Sequence, residues 1–241
     1  MVTSYLALTK AVESRGIKPG VTAGLSLGKS AAIVVSGGFS YEDAIKPVRQ
    51  RGILMNRAVP KGEGTMAAIL GMTAEQIDNI VNKMENVSVA NYNCPGQIVI
   101  TGKKDAVEKA MESLKEAGAR RVLPLKVSGP FNSPLLAPAG EELAKEMKRI
   151  KFRELKVPYV ATAVAEKETD AHKIPGLFVT GVSSPVKWQQ SMELMVKEGV
   201  DLFLEIGPGK TLSGFMKKIA PEAKVLSLST WTDLEQLQKE L

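Results

Sequence analysis

The stretch Val21–Ser30, VTAGLSLGKS, contains Gly24-Leu25-Ser26-Leu27-Gly28, a G-x-S-x-G pattern between an apolar run and a run of small residues. A sharp strand-to-helix turn of this kind presents a serine hydroxyl at a helix N-terminus, where backbone amides can stabilise an oxyanion. The same spacing also fits a glycine-flanked helix cap, a place serine favours without any chemistry. A nucleophile needs a base. The chain has one histidine, His172, in the polar stretch KETDAHKIPG, two residues from Asp170. Residues two apart in an extended segment point the same way, so this pair reads as a solvated loop rather than as part of a triad.

Other residues that could do chemistry are fewer. Cys94, the one cysteine, precedes Pro95-Gly96 and reads as a turn residue; a lone cysteine makes no internal disulfide and suits a reducing cytoplasm. Gly207-Pro208-Gly209-Lys210 lacks the spacing of a phosphate-binding loop and reads as a turn before a helix. No metal-ligating cluster and no cofactor motif stands out.

The chain of 241 residues carries a net charge of +6 with scattered lysines and arginines. Aromatic residues make up 5%, too few for a stacking-type nucleic-acid surface. The basic balance suits an acidic partner or a phosphate-bearing ligand. No apolar run reaches the roughly 20 residues that a membrane span needs, and the polar start reads as no signal peptide.

These residues must be positioned by the elements around them. Helices are expected over 3–16, 27–36, 40–59, 73–84, 105–119, 138–149, 186–198 and 212–219. Strands are expected over 20–24, 65–72, 87–92, 97–102, 120–128, 156–164, 201–207 and 223–229. Ser40 caps a helix with Asp43 three residues on, and Thr73 with Gln76 makes a capping box. Pro47 falls inside its helix, where it removes an amide donor. The order β-α-β-β-α-β over 65–128 is a ferredoxin-like unit. The alternating strands and helices on either side argue a mostly parallel α/β sheet.

Taken together, VTAGLSLGKSAAIVVSGGFSYEDAI, VRQRGILMNRAVPKGEGTMAAILGM, VANYNCPGQIVITGKKDAVEKA, RVLPLKVSGPFNSPLLAPAGEEL, VSSPVKW and FLEIGPGKTLSGFMKKI resemble the bacterial malonyl-CoA:acyl carrier protein transacylases of fatty acid synthesis, in order and spacing, over about residues 3–230. The resemblance implies an α/β-hydrolase-like domain (1–61 and 126–241) with an inserted ferredoxin-like subdomain (62–125). It implies ping-pong transfer of malonyl from CoA to the carrier protein's phosphopantetheine thiol through a seryl ester, without a cofactor. Ser26 falls on the nucleophile and Arg51 on the arginine that grips the malonyl carboxylate; Arg49 and Arg57 are alternatives by type. The Leu27 amide falls on the oxyanion hole.

The departures fall on the chemistry. Leu25 stands where the family has histidine in G-H-S-x-G-E, and Lys29 where it has glutamate. Asn132, in GPFNSPLL, stands at the base histidine, and Gly181 at a glutamine that helps orient the base. Ala161 and Thr162 stand where an asparagine-bearing segment is expected. Family members also carry an earlier segment with PGQG on the first strand, so a strand edge is expected to be open unless another chain supplies it. Asparagine cannot take a proton at neutral pH, so an impaired transacylase is expected. The alternatives are a non-catalytic binder of CoA or acyl carrier protein, or a degraded remnant.

Overall fold

The computed structural model describes residues 2–240, apart from the side chains of Gln238 and Glu240. The Ser26 turn sits between a very short strand and a small-residue helix. β1 (Thr22–Ala23) leads through a 3₁₀ turn at Ser26–Gly28 into α2 (Lys29–Val35). Before them runs α1 (Val2–Glu13) and after them α3 (Tyr41–Ala58). Ser40 caps α3 as its side chain predicts, accepting from the Asp43 amide at 3.0 Å. The helix passes unbroken through Pro47, which is buried.

The next stretch forms a sheet of its own. β2 (Gly64–Leu70), α4 (Ala74–Val81), β3 (Val87–Cys94), β4 (Gln97–Lys103), α5 (Lys104–Glu116) and β5 (Arg121–Pro124) follow in order. The four strands pair antiparallel in the spatial order β3-β4-β2-β5. The predicted capping box on α4 is present in both directions, Thr73 with Gln76. Alternation along the strands buries Ala67, Ile69, Ile98 and Ile100, and α4 and α5 bring Ile77, Val81, Val107 and Leu114 against them.

Beyond it come α6 (Ala137–Met147), β6 (Tyr159–Ala161), β7 (Glu166–Glu168), α7 (Ile174–Ser183), α8 (Trp188–Lys197), β8 (Leu202–Ile206), α9 (Thr211–Ile219), β9 (Lys224–Leu228) and α10 (Trp231–Glu240). Parallel pairing occurs where the alternation predicts it, β1 with β6 and β8 with β9, but in two separate sheets. β7 adds an antiparallel edge to β6. The core under Ser26 is built from α2, α3, α6 and α7; Ile33, Leu136, Leu143, Ile174 and Phe178 are fully buried there.

One expectation changes: Pro175-Gly176 reads in the sequence as a helix interruption, yet Pro175 lies in the first turn of α7, where its missing amide has no helical partner to lose. His172 stands outside any triad, as its polar stretch reads, and its ring does not pair with Asp170. The Asp170 carboxylate instead accepts the His172 backbone amide at 2.8 Å, capping a 3₁₀ turn, and His172 is exposed.

Candidate active site

Ser26 is held in a backbone conformation that L-residues avoid, with φ of 46°. Such strain of about 1–3 kcal/mol persists only where the surroundings impose it. Here they are close. A Cβ on Gly24 would lie 2.2 Å from the Gly28 carbonyl carbon, so only glycine lets the turn fold back on itself. Thr162, buried just after the end of β6, donates its hydroxyl to the Gly24 carbonyl at 3.3 Å. The Leu27 amide follows at the start of the turn, among the donors that a helix end leaves unpaired.

A cavity of about 700 Å³ opens over the turn, lined by Ser26, Arg51, Asn132, Asn91, Met66 and Phe131. The Arg51 Nη2 donates to Ser26 Oγ at 3.3 Å. Ser26 Oγ donates to Asn132 Oδ1 at 3.4 Å. Asn132 Nδ2 in turn donates to Asn91 Oδ1 at 3.3 Å. Four side chains from α3, the Ser26 turn, the loop before α6 and β3 thus form one polar chain. Asn132 also takes a left-handed backbone, φ 53°, and is 3% exposed.

Arg51 is 7% exposed, and burial lowers its guanidinium to about 10, still charged at neutral pH. Its Nε has no hydrogen-bond partner. Behind it lies Lys29, 4% exposed. Burial first, and the Arg51 charge second, hold its amine well below the usual lysine range. The Lys29 Nζ donates to the Phe178 carbonyl at 3.4 Å and lies 5.4 Å from the Phe178 ring centre. Among the described ion pairs, none joins Lys29 or Arg51 to a carboxylate.

The residues predicted from sequence therefore divide. Ser26, Asn132 and Arg51 meet in one cavity, with Leu25 and Leu27 on its wall. Arg49 is an exposed residue lining the same cavity, whereas Arg57 does not line it. Gly181 lies behind the site, where a Cβ would stand 2.0 Å from Lys29 Nζ; the lysine fills its space. His172 and Asp170 line neither this cavity nor its larger neighbour. Asn91 was not predicted. It stands on a β-strand whose alternation reads as ordinary sheet, and only the fold brings it to Asn132. Cys94 is buried with a free thiol, which burial pushes up. Among the described residues, no group of three or more possible metal ligands gathers.

Residues 2–231 match the family described as the acyl transferase domain. The chain belongs to that family. It is 42% identical over 233 residues to the malonyl CoA-acyl carrier protein transacylase of Bacillus subtilis (strain 168), covering 95% of this chain and 74% of the relative. The crystal structure of the Clostridium perfringens malonyl CoA-acyl carrier protein transacylase superposes with a TM-score of 0.95 at 40% identity, over 99% of this chain and 76% of that one. A malonyl-transacylase solved in complex with its type II PKS acyl-carrier protein gives 0.96 at 35% identity, over 100% of this chain and 79% of that one. These likenesses place the acyl transferase chain in the α/β class. None of its described helices is long and apolar enough to cross a membrane.

Proposed function

We propose that this acyl transferase accepts malonyl from malonyl-CoA on Ser26 and passes it to the phosphopantetheine thiol of an acyl carrier protein. The observation that carries the reading is the Arg51 guanidinium, 3.3 Å from Ser26 Oγ and without a carboxylate partner. A planar guanidinium can grip a carboxylate through two parallel hydrogen bonds. Arg51 therefore holds the free malonyl carboxylate while the thioester carbonyl lies against Ser26 and the Leu27 amide. The serine oxygen bonds to the thioester carbon, the carbon–sulfur bond breaks, and the serine proton passes through water to the departing sulfur, so CoA leaves as its thiol; the carrier thiol later reverses the sequence.

Asn132 limits the rate. Its Oδ1 accepts the Ser26 O–H and so orients the hydroxyl, but it does not remove the proton. A positioned base typically contributes about 10²–10⁴-fold, so acylation is slow. The second reading, a non-catalytic binder of CoA or carrier protein, is favoured by that same asparagine. The reading assigns residues 62–125 to a ferredoxin-like insertion and 1–61 with 126–241 to the catalytic domain, in a cytoplasmic protein whose one thiol stays reduced.

Intact mass after incubation with malonyl-CoA, beside Ser26→Ala, tests it. A malonyl adduct absent from the variant supports transfer through Ser26. A folded chain that gains no adduct, yet binds carrier protein in a salt-sensitive manner, supports the binder.

A further inference from the structure

Among the described residues that line the cavity over Ser26, two carry a charge, Arg49 and Arg51, and both are cations. No carboxylate, imidazole, thiol or phenol shares that wall. Neither arginine belongs to a described ion pair. Asn132 touches Ser26 Oγ but takes no proton at neutral pH. Lys29, the buried amine behind Arg51, does not line the cavity, and its Nζ is turned to the Phe178 carbonyl. The segments that wall the cavity are α3, β2, β3, the Ser26 turn and the loop before α6. Together they offer two positive charges and no base.

A nucleophile that enters such a cavity must arrive already ionised. Water is ionised to a negligible extent at neutral pH. An ordinary thiol, with its pKa at about 8.5, is already a few per cent thiolate. The thiolate is also the species that two cations attract. A base in the wall would serve water and thiol alike, contributing about 10²–10⁴-fold to each. Without one, the thiol keeps the route through its own ionisation and water has almost none.

From these observations we infer that the cavity selects the acyl acceptor by the acceptor's own acidity: acyl-Ser26 passes its acyl group to a thiolate and is long-lived towards water, with Arg49 at the rim drawing the anion in. The inference rests on the reading of Ser26 as the acyl-bearing residue. In the step, the thiolate sulfur bonds to the ester carbon, and the bond from that carbon to Ser26 Oγ breaks. Arg51 Nη2, which donates to Oγ at 3.3 Å, stabilises the departing oxygen as charge builds on it. Solvent water supplies the proton that restores the serine hydroxyl, and hydroxide remains in solution in place of the thiolate.

The acetyl ester that p-nitrophenyl acetate places on Ser26, absent from Ser26→Ala, isolates this step from malonyl-CoA. A chain that takes acetyl from this reagent but no malonyl from CoA retires the malonyl reading alone. Decay of the ester is followed by intact mass from about pH 6 to 10, in buffer and with either pantetheine or a more acidic aryl thiol. Discharge by pantetheine is expected to rise about tenfold per pH unit and to level off at about pH 8.5, and with the aryl thiol to level off lower. Loss to buffer at neutral pH is expected to be slower by about 100-fold or more. Arg49→Gln slows discharge by pantetheine about three- to fivefold and makes it less sensitive to salt. Asn132→His, which supplies a base, makes the pantetheine profile level off from about pH 6.5 and speeds loss to water about 10²–10⁴-fold. The inference is overturned if the two thiols share one midpoint, which would place a base in the protein, or if the ester is lost to water as fast as to thiol. It is overturned equally if Arg49→Gln changes nothing, if discharge only matches that of the acetyl ester of free N-acetylserine, or if a folded chain takes an acyl group on Ser26 from neither reagent.

Discussion

Ser26 and Asn132 face each other across 3.4 Å, hydroxyl to carboxamide oxygen, and both hold left-handed backbones. The asparagine stands where a base could reach the hydroxyl, and its other end is tied to Asn91. Replacing it with histidine puts a proton acceptor at a place the fold already prepares. Histidine tolerates the left-handed region better than most residues, and Asn91 Oδ1 can accept the second ring N–H. Asn132→His should raise the rate of Ser26 malonylation about 10²–10⁴-fold. The gain should appear as pH rises through about 6.5, where the imidazole loses its proton. Rates measured from pH 5 to 9 that match the parent at every pH would remove Asn132 from the site.

Arg51 makes a second, separable prediction. If it holds a carboxylate, Arg51→Lys should weaken use of malonyl-CoA by about 10- to 100-fold, the worth of one charged hydrogen bond of about 1.5–3 kcal/mol. Acetyl-CoA, which has no carboxylate to hold, should be affected little. Equal losses for the two thioesters would make Arg51 a structural cation. The comparison is made on adduct formation, so slow turnover does not obscure it.

Part of this site is legible along the chain and part is not. Ser26 announces itself by a glycine-bracketed turn, whereas Arg51 is set apart from Arg49 and Arg57 only by the family resemblance. Asn132 is visible only as a departure. Asn91 has no local signal: it is one polar residue within a mostly buried strand, and nothing in its neighbours sets it apart. Lys29 enters the sequence reading only as a lysine at the family's glutamate; lysine is almost never fully buried without a partner, and packing against Phe178 and Gly181 is what places it inside. At the level of elements, the caps at Ser40 and Thr73 fix two helix starts. α7 is lost to Pro175-Gly176, because a proline that begins a helix and one that breaks it look alike without knowing where the helix starts. The short edge β7 and the terminal α10 go unread, and the separation of the parallel strands into two sheets emerges only in space.

The buried Lys29 amine predicts how stability varies with pH. Its folded proton affinity is depressed by burial and by the Arg51 charge, while the unfolded chain restores the ordinary value near 10.4. The unfolded state thus binds more protons between those two values. Stability falls as pH drops from about 10.4 towards the depressed value, by up to about 1.4 kcal/mol per pH unit, and the loss is complete below it. Lys29→Met keeps the bulk and removes the titration. Its advantage over the parent in urea unfolding should be larger at pH 7 than at pH 10. An advantage that does not change with pH would mean that the amine titrates normally.

Lys29 and Gly181 also predict a coupling. The lysine amine sits 2.0 Å from where a Cβ on residue 181 would be, so Gly181→Ala must displace it. The amine is the end of a flexible chain, but it is enclosed by α7 and cannot swing into water without opening the packing around Phe178. Gly181→Ala alone should therefore destabilise by about 1–3 kcal/mol, the usual range for overpacking. In a Lys29→Ala background the space is empty, and the added methyl fills part of the void that the shortened side chain leaves. The same substitution should then be neutral or stabilising. A double-mutant cycle in chemical unfolding should return an interaction energy of about 0.5–3 kcal/mol. Additive effects would show that the lysine yields freely.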